Sequence, residues 1–280
     1  MRQTSSILYI AVDDVLPERG RSIAGFQEFT ATLDHKGIPA VWVTSRSRLQ
    51  FDEPRRKLGH AHPFIAEDGC GVYLPEDYFH LRPDPAGSRS RKESTLRLGR
   101  FTCIPIAEAL PAASEALEAL SQEMEVPVVT LRSLSVRELA QNTGLLPREA
   151  EIARQRDFDE PFFFAGASEA QIERFLADGR KRRIEFRRHG VLWSAAIGGS
   201  LQRCIATLSR LYDRALRYHA PSVGVATARL APGILPFCER NLLLTDQMPE
   251  PRSSRDKYPR VREIACHSPA VWEQVLTSLL

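Results

Sequence analysis

Two acids at the end of an apolar run are the residues of this chain best placed to do chemistry. Ile7 to Val12 is short, apolar and rich in β-formers, and Asp13-Asp14 follow at once, ahead of a turn at Pro17 to Gly20. A buried parallel strand reads this way when it delivers side chains to the carboxyl edge of a sheet, where open α/β folds place their sites. Aspartate-based phosphoryl transfer needs two carboxylates at such an edge. Successive strand side chains point to opposite faces, so only positions i and i+2 converge on one substrate. Asp13 has Ala11 two positions before it and Val15 two after, and Asp14 should point elsewhere if the strand persists. The place is prepared for the reaction, and the attacking carboxylate is absent. A second apolar run, Ile38 to Val43, ends on the hydroxyls of Thr44 and Ser45.

The elements that must hold these residues follow from periodicity. Ser22 to His35 has helical spacing and stops at Lys36-Gly37, so strand, helix and strand predict a right-handed parallel βαβ unit. Ser47 to Leu58 reads as a short helix. Pro63 to Ala66 and Val72 to Pro75 read as strands around the acid-glycine turn Glu67 to Gly71. Pro83 to Ser94 is rich in Pro, Gly, Ser and charge, which marks a crossing between domains. Beyond it come a helix over Ile106 to Glu125, a strand at Val126 to Leu131, and helices at Ser135 to Asn142 and Pro147 to Arg156. An aromatic strand at Phe162 to Phe164, a helix at Ala170 to Gly179 and a strand pair over Ile184 to Trp193 complete an α+β insert. The first pattern then returns, with a loop at Ala195 to Gly199, a helix over Leu201 to Tyr218 and a strand at Pro221 to Thr227. A helix at Pro232 to Asn241, a strand at Leu242 to Leu244 and a closing helix over Ser268 to Leu280 follow.

Composition narrows the class. Of 280 residues, 43% are apolar and 26% charged, which is ordinary for a globular protein. The net charge of +3 is too small to argue for nucleic acid, and no apolar run reaches membrane-spanning length. Met1 to Ser6 is too short and polar for a signal peptide. Five scattered cysteines without metal spacing favour reduced thiols in a cytoplasmic protein. The basic run Arg180 to Arg188 reads first as a solvated face and, more sharply, as an anion-binding surface.

Three stretches carry a family resemblance. Pro63 to Pro75 (PFIAEDGCGVYLP), Leu139 to Phe164 (LAQNTGLLPREAEIARQRDFDEPFFF) and Ile197 to Tyr212 (IGGSLQRCIATLSRLY) resemble the mannosyl-3-phosphoglycerate phosphatases of the haloacid dehalogenase superfamily. The resemblance implies an α/β, Rossmann-like parallel-sheet core over 1–88 and 194–280, with an inserted α+β cap domain over 89–193. It also implies hydrolysis of a sugar-linked phosphate with Mg²⁺. An aspartate attacks phosphorus, a second acts as acid and base, a hydroxyl and a lysine hold the phosphate, and a late acidic motif completes the metal site.

Position by position the chemistry is mostly gone. The nucleophile falls on Ala11 and the lysine on Gln202, while the late acids fall on Ala226 and Leu230. Asp13 is retained as acid/base, and Thr44 as the hydroxyl. Recognition-like positions survive at Thr44, Ser45, Glu67, Gly69, Arg156, Glu160, Gly198, Gly199 and Gln202. Without a nucleophile covalent catalysis stops, and without carboxylates at 11 and 226 no metal site and no cofactor are expected. The expected protein is degenerate, keeping a cleft for a phosphorylated sugar or glycerate, with no nucleic acid or membrane partner and an open oligomeric state. Two alternatives stand: an active Mg²⁺-dependent phosphatase with displaced chemistry on Asp13 or Asp14, and a structural or partner-docking protein. At single positions, Asp13 and Asp14 could cap a turn, Glu67 and Asp68 could stabilise one, and Arg156 and Glu160 could pair structurally.

Overall fold

The computed structural model describes residues 6–16, 23–79, 95–246, 258, 260–268 and 270–279. The turn expected at 17–20 and the crossing expected over 83–94 lie outside the described residues. The strands are β1 (Ile7–Ala11), β2 (Ala40–Val43), β3 (Phe64–Ala66), β4 (Gly71–Leu74), β5 (Leu96–Leu98), β6 (Phe101–Pro105) and β7 (Val128–Thr130). They continue with β8 (Glu160–Phe164), β9 (Ile184–His189), β10 (Leu192–Ile197), β11 (Ser222–Thr227), β12 (Arg240–Thr245) and β13 (Val261–Ala265). The helices are α1 (Phe26–Lys36), α2 (Arg48–Lys57), α3 (Leu110–Met124), α4 (Val136–Thr143), α5 (Pro147–Ala153), α6 (Glu169–Lys181), α7 (Leu201–Leu216), α8 (Ala231–Ile234) and α9 (Val271–Leu279).

One sheet has nine strands in the order β13-β12-β11-β1-β2-β3-β4-β6-β5. Its first six strands are parallel, and β4, β6 and β5 extend it antiparallel. Alternate residues of β1 enter two different cores, which is why its sequence is apolar throughout. Leu8 and Ile10 pack with Phe26, Phe29 and Leu33 of α1 and Trp272 and Val275 of α9. Ile7, Tyr9 and Ala11 pack with Cys204, Leu208 and Leu211 of α7 and Ile234 of α8. Burying one such large side chain contributes about 1.5–3 kcal/mol, so both faces of β1 tie it firmly in place. Helix α1 stops at Gly37, whose φ of 68° lets its N–H reach back to the last turn. A reciprocal Ser47/Gln50 capping box starts α2 directly behind the Thr44-Ser45 loop.

The second sheet is antiparallel, ordered β7-β8-β10-β9. Its Phe162, Ile184, Phe186 and Ala195 pack against Leu117 and Leu120 of α3 and Phe175 and Leu176 of α6. Phe163 and Leu192 sit against Leu139 of α4 and Ala150 of α5.

Three expectations are corrected and one strand is added. The change of sheet comes after Pro105 rather than near residue 89, because β5 and β6 join the large sheet. Phe101 lies edge-on to Phe64 at 5.2 Å and to Tyr73 at 6.3 Å, which anchors β6 there. Residues 195–197 are not loop but the end of β10. The helix expected over Pro232 to Asn241 is a single turn followed by a 3₁₀ turn at Leu235–Phe237, since Pro236 offers no N–H to continue the ladder. Strand β13, which sequence reasoning did not anticipate, adds a parallel edge whose adjacent charges Arg262 and Glu263 interrupt any apolar run.

One carboxylate ties the two sheets together. Glu67, fully buried in the 3₁₀ turn after β3, accepts the amides of Asp157 at 3.0 Å, Phe158 at 2.8 Å and Asp159 at 3.0 Å. Glu67 and Asp68 both lie in the left-handed region, at φ 52° and 53°, a conformation that costs non-glycine residues of order 1 kcal/mol or more each. The three amide bonds hold it. Arg156 reinforces the joint, donating to Asp159 at 2.6 and 2.8 Å, to Gln50 at 3.0 Å and to the Ser45 carbonyl at 2.9 Å. Arg48 and Tyr73 both donate to Asp157, at 3.0 and 2.8 Å. Removing the Glu67 acceptor strands up to three buried N–H groups, each costing roughly 1–3 kcal/mol. Glu67→Ala should therefore lower the urea-unfolding free energy by about 3 kcal/mol or more and raise exchange at the 157–159 amides. Unchanged stability would show that this joint does not hold the sheets together.

Candidate functional site at the sheet edge

Strand β1 ends at Ala11, and the turn that follows sends its two acids to opposite neighbours. Asp13 faces the loop after β2: Thr44 Oγ1 donates to Oδ1 at 2.5 Å, while Ser45 gives its N–H at 2.8 Å and its hydroxyl at 2.7 Å to Oδ2. Arg46 Nε stands 3.9 Å from Oδ1. Asp14 faces the loop after β11, where Thr227 donates to Oδ2 at 2.5 Å. Arg229 donates from Nε at 3.0 and 3.1 Å and again from Nη2. A third acid, Asp68, takes His189 Nε2 at 2.7 Å, an ion pair from the end of β9 in the small sheet to the large-sheet loop.

Burial works against a charged His189, yet the Asp68 carboxylate, with Asp13 beyond it, holds the imidazole above its usual range. Burial, joined by the neighbouring Asp159 charge, pushes Glu67 up to about 8. Arg156 is kept charged, because Asp159 and Glu67 outweigh the desolvation that would lower it. Between the sheets lies a shallow cleft lined by Asp68, Cys70, Glu185, Arg187, Ser194 and Gly199.

The expected site residues separate on this geometry. Thr44 and Ser45 reach the edge as anticipated, but their hydroxyls are committed to Asp13. Ala11 and Ala226, 5% and 1% exposed, belong to one apolar cluster with Ile234 and Leu235. Glu67 borders the cleft, with its carboxylate turned to the 157–159 amides. Arg156 pairs with Asp159, not with Glu160, and its side chain is 6% exposed. Glu160 is buried away from the edge, accepting Ser114 Oγ at 2.5 Å, with Arg132 at 3.7 Å. Gly69 and Gly199 serve close packing. A Cβ on Gly69, whose φ is 93°, would stand 2.5 Å from the Leu201 nitrogen, and one on Gly199 2.9 Å from the Cys70 sulfur. Gly198 has φ 78° and offers its carbonyl to Arg203, while Gln202 is exposed at the start of α7. In the basic run, Arg182 pairs with Glu123 and Asp178, Lys181 with Asp178 and Arg187 with Glu185, as a solvated face would.

Arg46, His189, Thr227 and Arg229 escape sequence reasoning. The only signal for Arg229 is a cation inside Val225 to Leu230, the segment expected to carry acids.

The donor set does not fit Mg²⁺. That ion takes carboxylates at about 2.0–2.1 Å in strict octahedral geometry. Among the described residues no group of three or more His, Cys, Asp and Glu converges as a metal site would require. Asp13 is surrounded by N–H and O–H donors, Asp14 carries a guanidinium, and the other two positions are alanines.

Comparison with known proteins places this geometry. No family model matches the chain. A 132-residue stretch is 29% identical to a glucosyl-3-phosphoglycerate/mannosyl-3-phosphoglycerate phosphatase of Persephonella marina, covering 46% of the chain and 44% of that protein. A 183-residue stretch is 22% identical to the protein of the same name from Methanococcoides burtonii, covering 64% and 62%. The chain thus spans about half the length of the curated relatives it matches. Among solved structures, a haloalkanoate-superfamily phosphatase of Bacteroides thetaiotaomicron superposes at a TM-score of 0.60 with 13% identity, over 98% of this chain and 96% of that one. The sucrose-phosphatase of Synechocystis does so at 0.58 with 12% identity, over 100% and 98%. Over part of its length the chain is thus similar in sequence to those two phosphoglycerate phosphatases, and over nearly all of it the chain shares the fold of the two solved phosphatases.

Proposed function

We propose that this chain is a non-catalytic binding or regulatory protein on a phosphatase fold, which admits a phosphorylated sugar or glycerate between its sheets without hydrolysing it. The observation that carries this reading is Ala11, the position of the attacking carboxylate, closed into an apolar cluster with Ala226. Covalent phosphoryl transfer has no nucleophile there, and losing a nucleophile commonly costs roughly 10³-fold or more in rate. Asp13 could act as acid or base only by leaving three donors. A hydrolase with displaced chemistry would need that rearrangement on every turnover.

The binding half of the proposal rests on the cleft. Arg187 lines it from the small sheet, and His189, bonded to the lining residue Asp68, stands at its border. Phosphate and carboxylate are the anions such donors favour, and the relatives' names refer to phosphoglycerates linked to a sugar. The insert that carries Arg187 and His189 serves as the cap. Five cysteines, all free, suit a reducing cytoplasm.

Calorimetry in EDTA against mannosyl-3-phosphoglycerate, glucosyl-3-phosphoglycerate and simple phosphosugars should show one saturable site, weakened at least tenfold by Arg187→Ala. Absence of heat across the whole panel contradicts a retained ligand cleft. The His189–Asp68 pair should also make cap closure depend on pH. His189 is raised in the closed state, so its contribution is fully present below about pH 6.5 and lost as pH rises through the raised value. Exchange protection of the 184–197 hairpin, corrected for intrinsic rates, should fall between pH 6 and pH 9. His189→Gln should flatten that fall, and a variant with an unchanged profile would show that the pair does not latch the cap.

A further inference from the structure

We infer that Arg229 is a resident cation that occupies on Asp14 the place a divalent metal would need, so that this sheet edge excludes Mg²⁺ and related ions by charge. The contact is built from two loops of the sheet. Asp14 lies just past β1 and Arg229 just past β11, the strand paired directly beside it. The guanidinium meets both carboxylate oxygens, from Nε at 3.0 and 3.1 Å and from Nη2. Thr227 fixes the carboxylate from its other side at 2.5 Å. An ion coordinated to either oxygen of Asp14 would stand against a positive group that the chain itself supplies, and would have to displace it.

The neighbouring charges sharpen the exclusion. Asp13 is held by Thr44, Ser45 and Arg46, and Asp68 by His189. The three acids at this edge, Asp13, Asp14 and Asp68, therefore meet three basic groups, Arg46, Arg229 and His189, leaving no carboxylate in search of a counter-ion. Asp14 is the acid whose cation is easiest to remove, because the Arg229 side chain is 53% exposed. A half-exposed pair of this sort adds little to stability, about 1 kcal/mol or less, so changing Arg229 alters the charge of the edge without unfolding the chain. The inference concerns the carboxylates alone and stands apart from whether a phosphorylated ligand enters the cleft.

Mn²⁺ serves as the probe, with free ion read by electron paramagnetic resonance on the full chain and folding checked by circular dichroism. The wild type should take up no stoichiometric Mn²⁺. Arg229→Gln, which keeps most of the side-chain length and removes the charge, should raise Mn²⁺ affinity at least tenfold, and adding Asp14→Asn should abolish the gain. Arg229→Lys, which keeps the charge, should bind no more than the wild type. A stoichiometric wild-type site that Asp14→Asn removes would overturn the inference. So would a folded Arg229→Gln variant with wild-type Mn²⁺ affinity.

Discussion

The bonds that Asp13 and Asp14 accept at the carboxyl edge of the large sheet set the character of this protein. A carboxylate at a sheet edge keeps its charge only where donors or a cation stand against it. In this chain the donors are Thr44, Ser45, Thr227 and Arg229, supplied by the ends of the neighbouring strands and the loops that follow them. Both carboxylates of this edge are thus met from within the chain. The alanines at positions 11 and 226 lie beneath the edge in one apolar cluster with Ile234 and Leu235.

The joint between the sheets is as firmly determined as the edge. Glu67 sits in a left-handed turn whose backbone also bonds to Arg46 and Thr44, and its three amide bonds fix residues 157–159 on the large sheet. Arg156 extends the network to the Ser45 carbonyl, next to the group that holds Asp13. Cap anchor and sheet edge therefore share one loop, Thr44 to Ser47, and a displacement of either is felt at the other. The His189–Asp68 pair is the outer part of this contact. It is partly exposed and charge-dependent, which suits it to open while the buried Glu67 joint holds.

Much of this was readable from residue type and spacing. The run Ile7 to Val12 declares a strand buried on both faces, and the Gly37 stop and the Thr44-Ser45 ending place the βαβ unit correctly. That alanine stands at position 11, where the resemblance expects the attacking carboxylate, needs no coordinates. Contacts across the chain were not readable. Thr44 looked like a ligand hydroxyl because its partner, Asp13, depends on how the backbone leaves β1. Glu67 looked like a recognition residue because the amides it binds lie 90 to 92 residues further along the chain, and Arg156 because its bonds to Gln50 and the Ser45 carbonyl cross between the sheets. Arg229 showed only as a cation in an unexpected segment, and its seat on Asp14 arises from strand order. Strand β13 was hidden for a different reason: the adjacent charges Arg262 and Glu263 at its centre leave no apolar run.

The central claim is that an edge with alanine at 11 and 226, and with its acids satisfied internally, does not transfer phosphoryl groups. Steady-state release of inorganic phosphate from mannosyl-3-phosphoglycerate, with millimolar Mg²⁺ and with EDTA, tests it most directly, using wild type and Asp13→Asn purified side by side. The account predicts equal, background-level release from both proteins under both conditions. Metal-dependent turnover by the wild type that disappears in Asp13→Asn would contradict it.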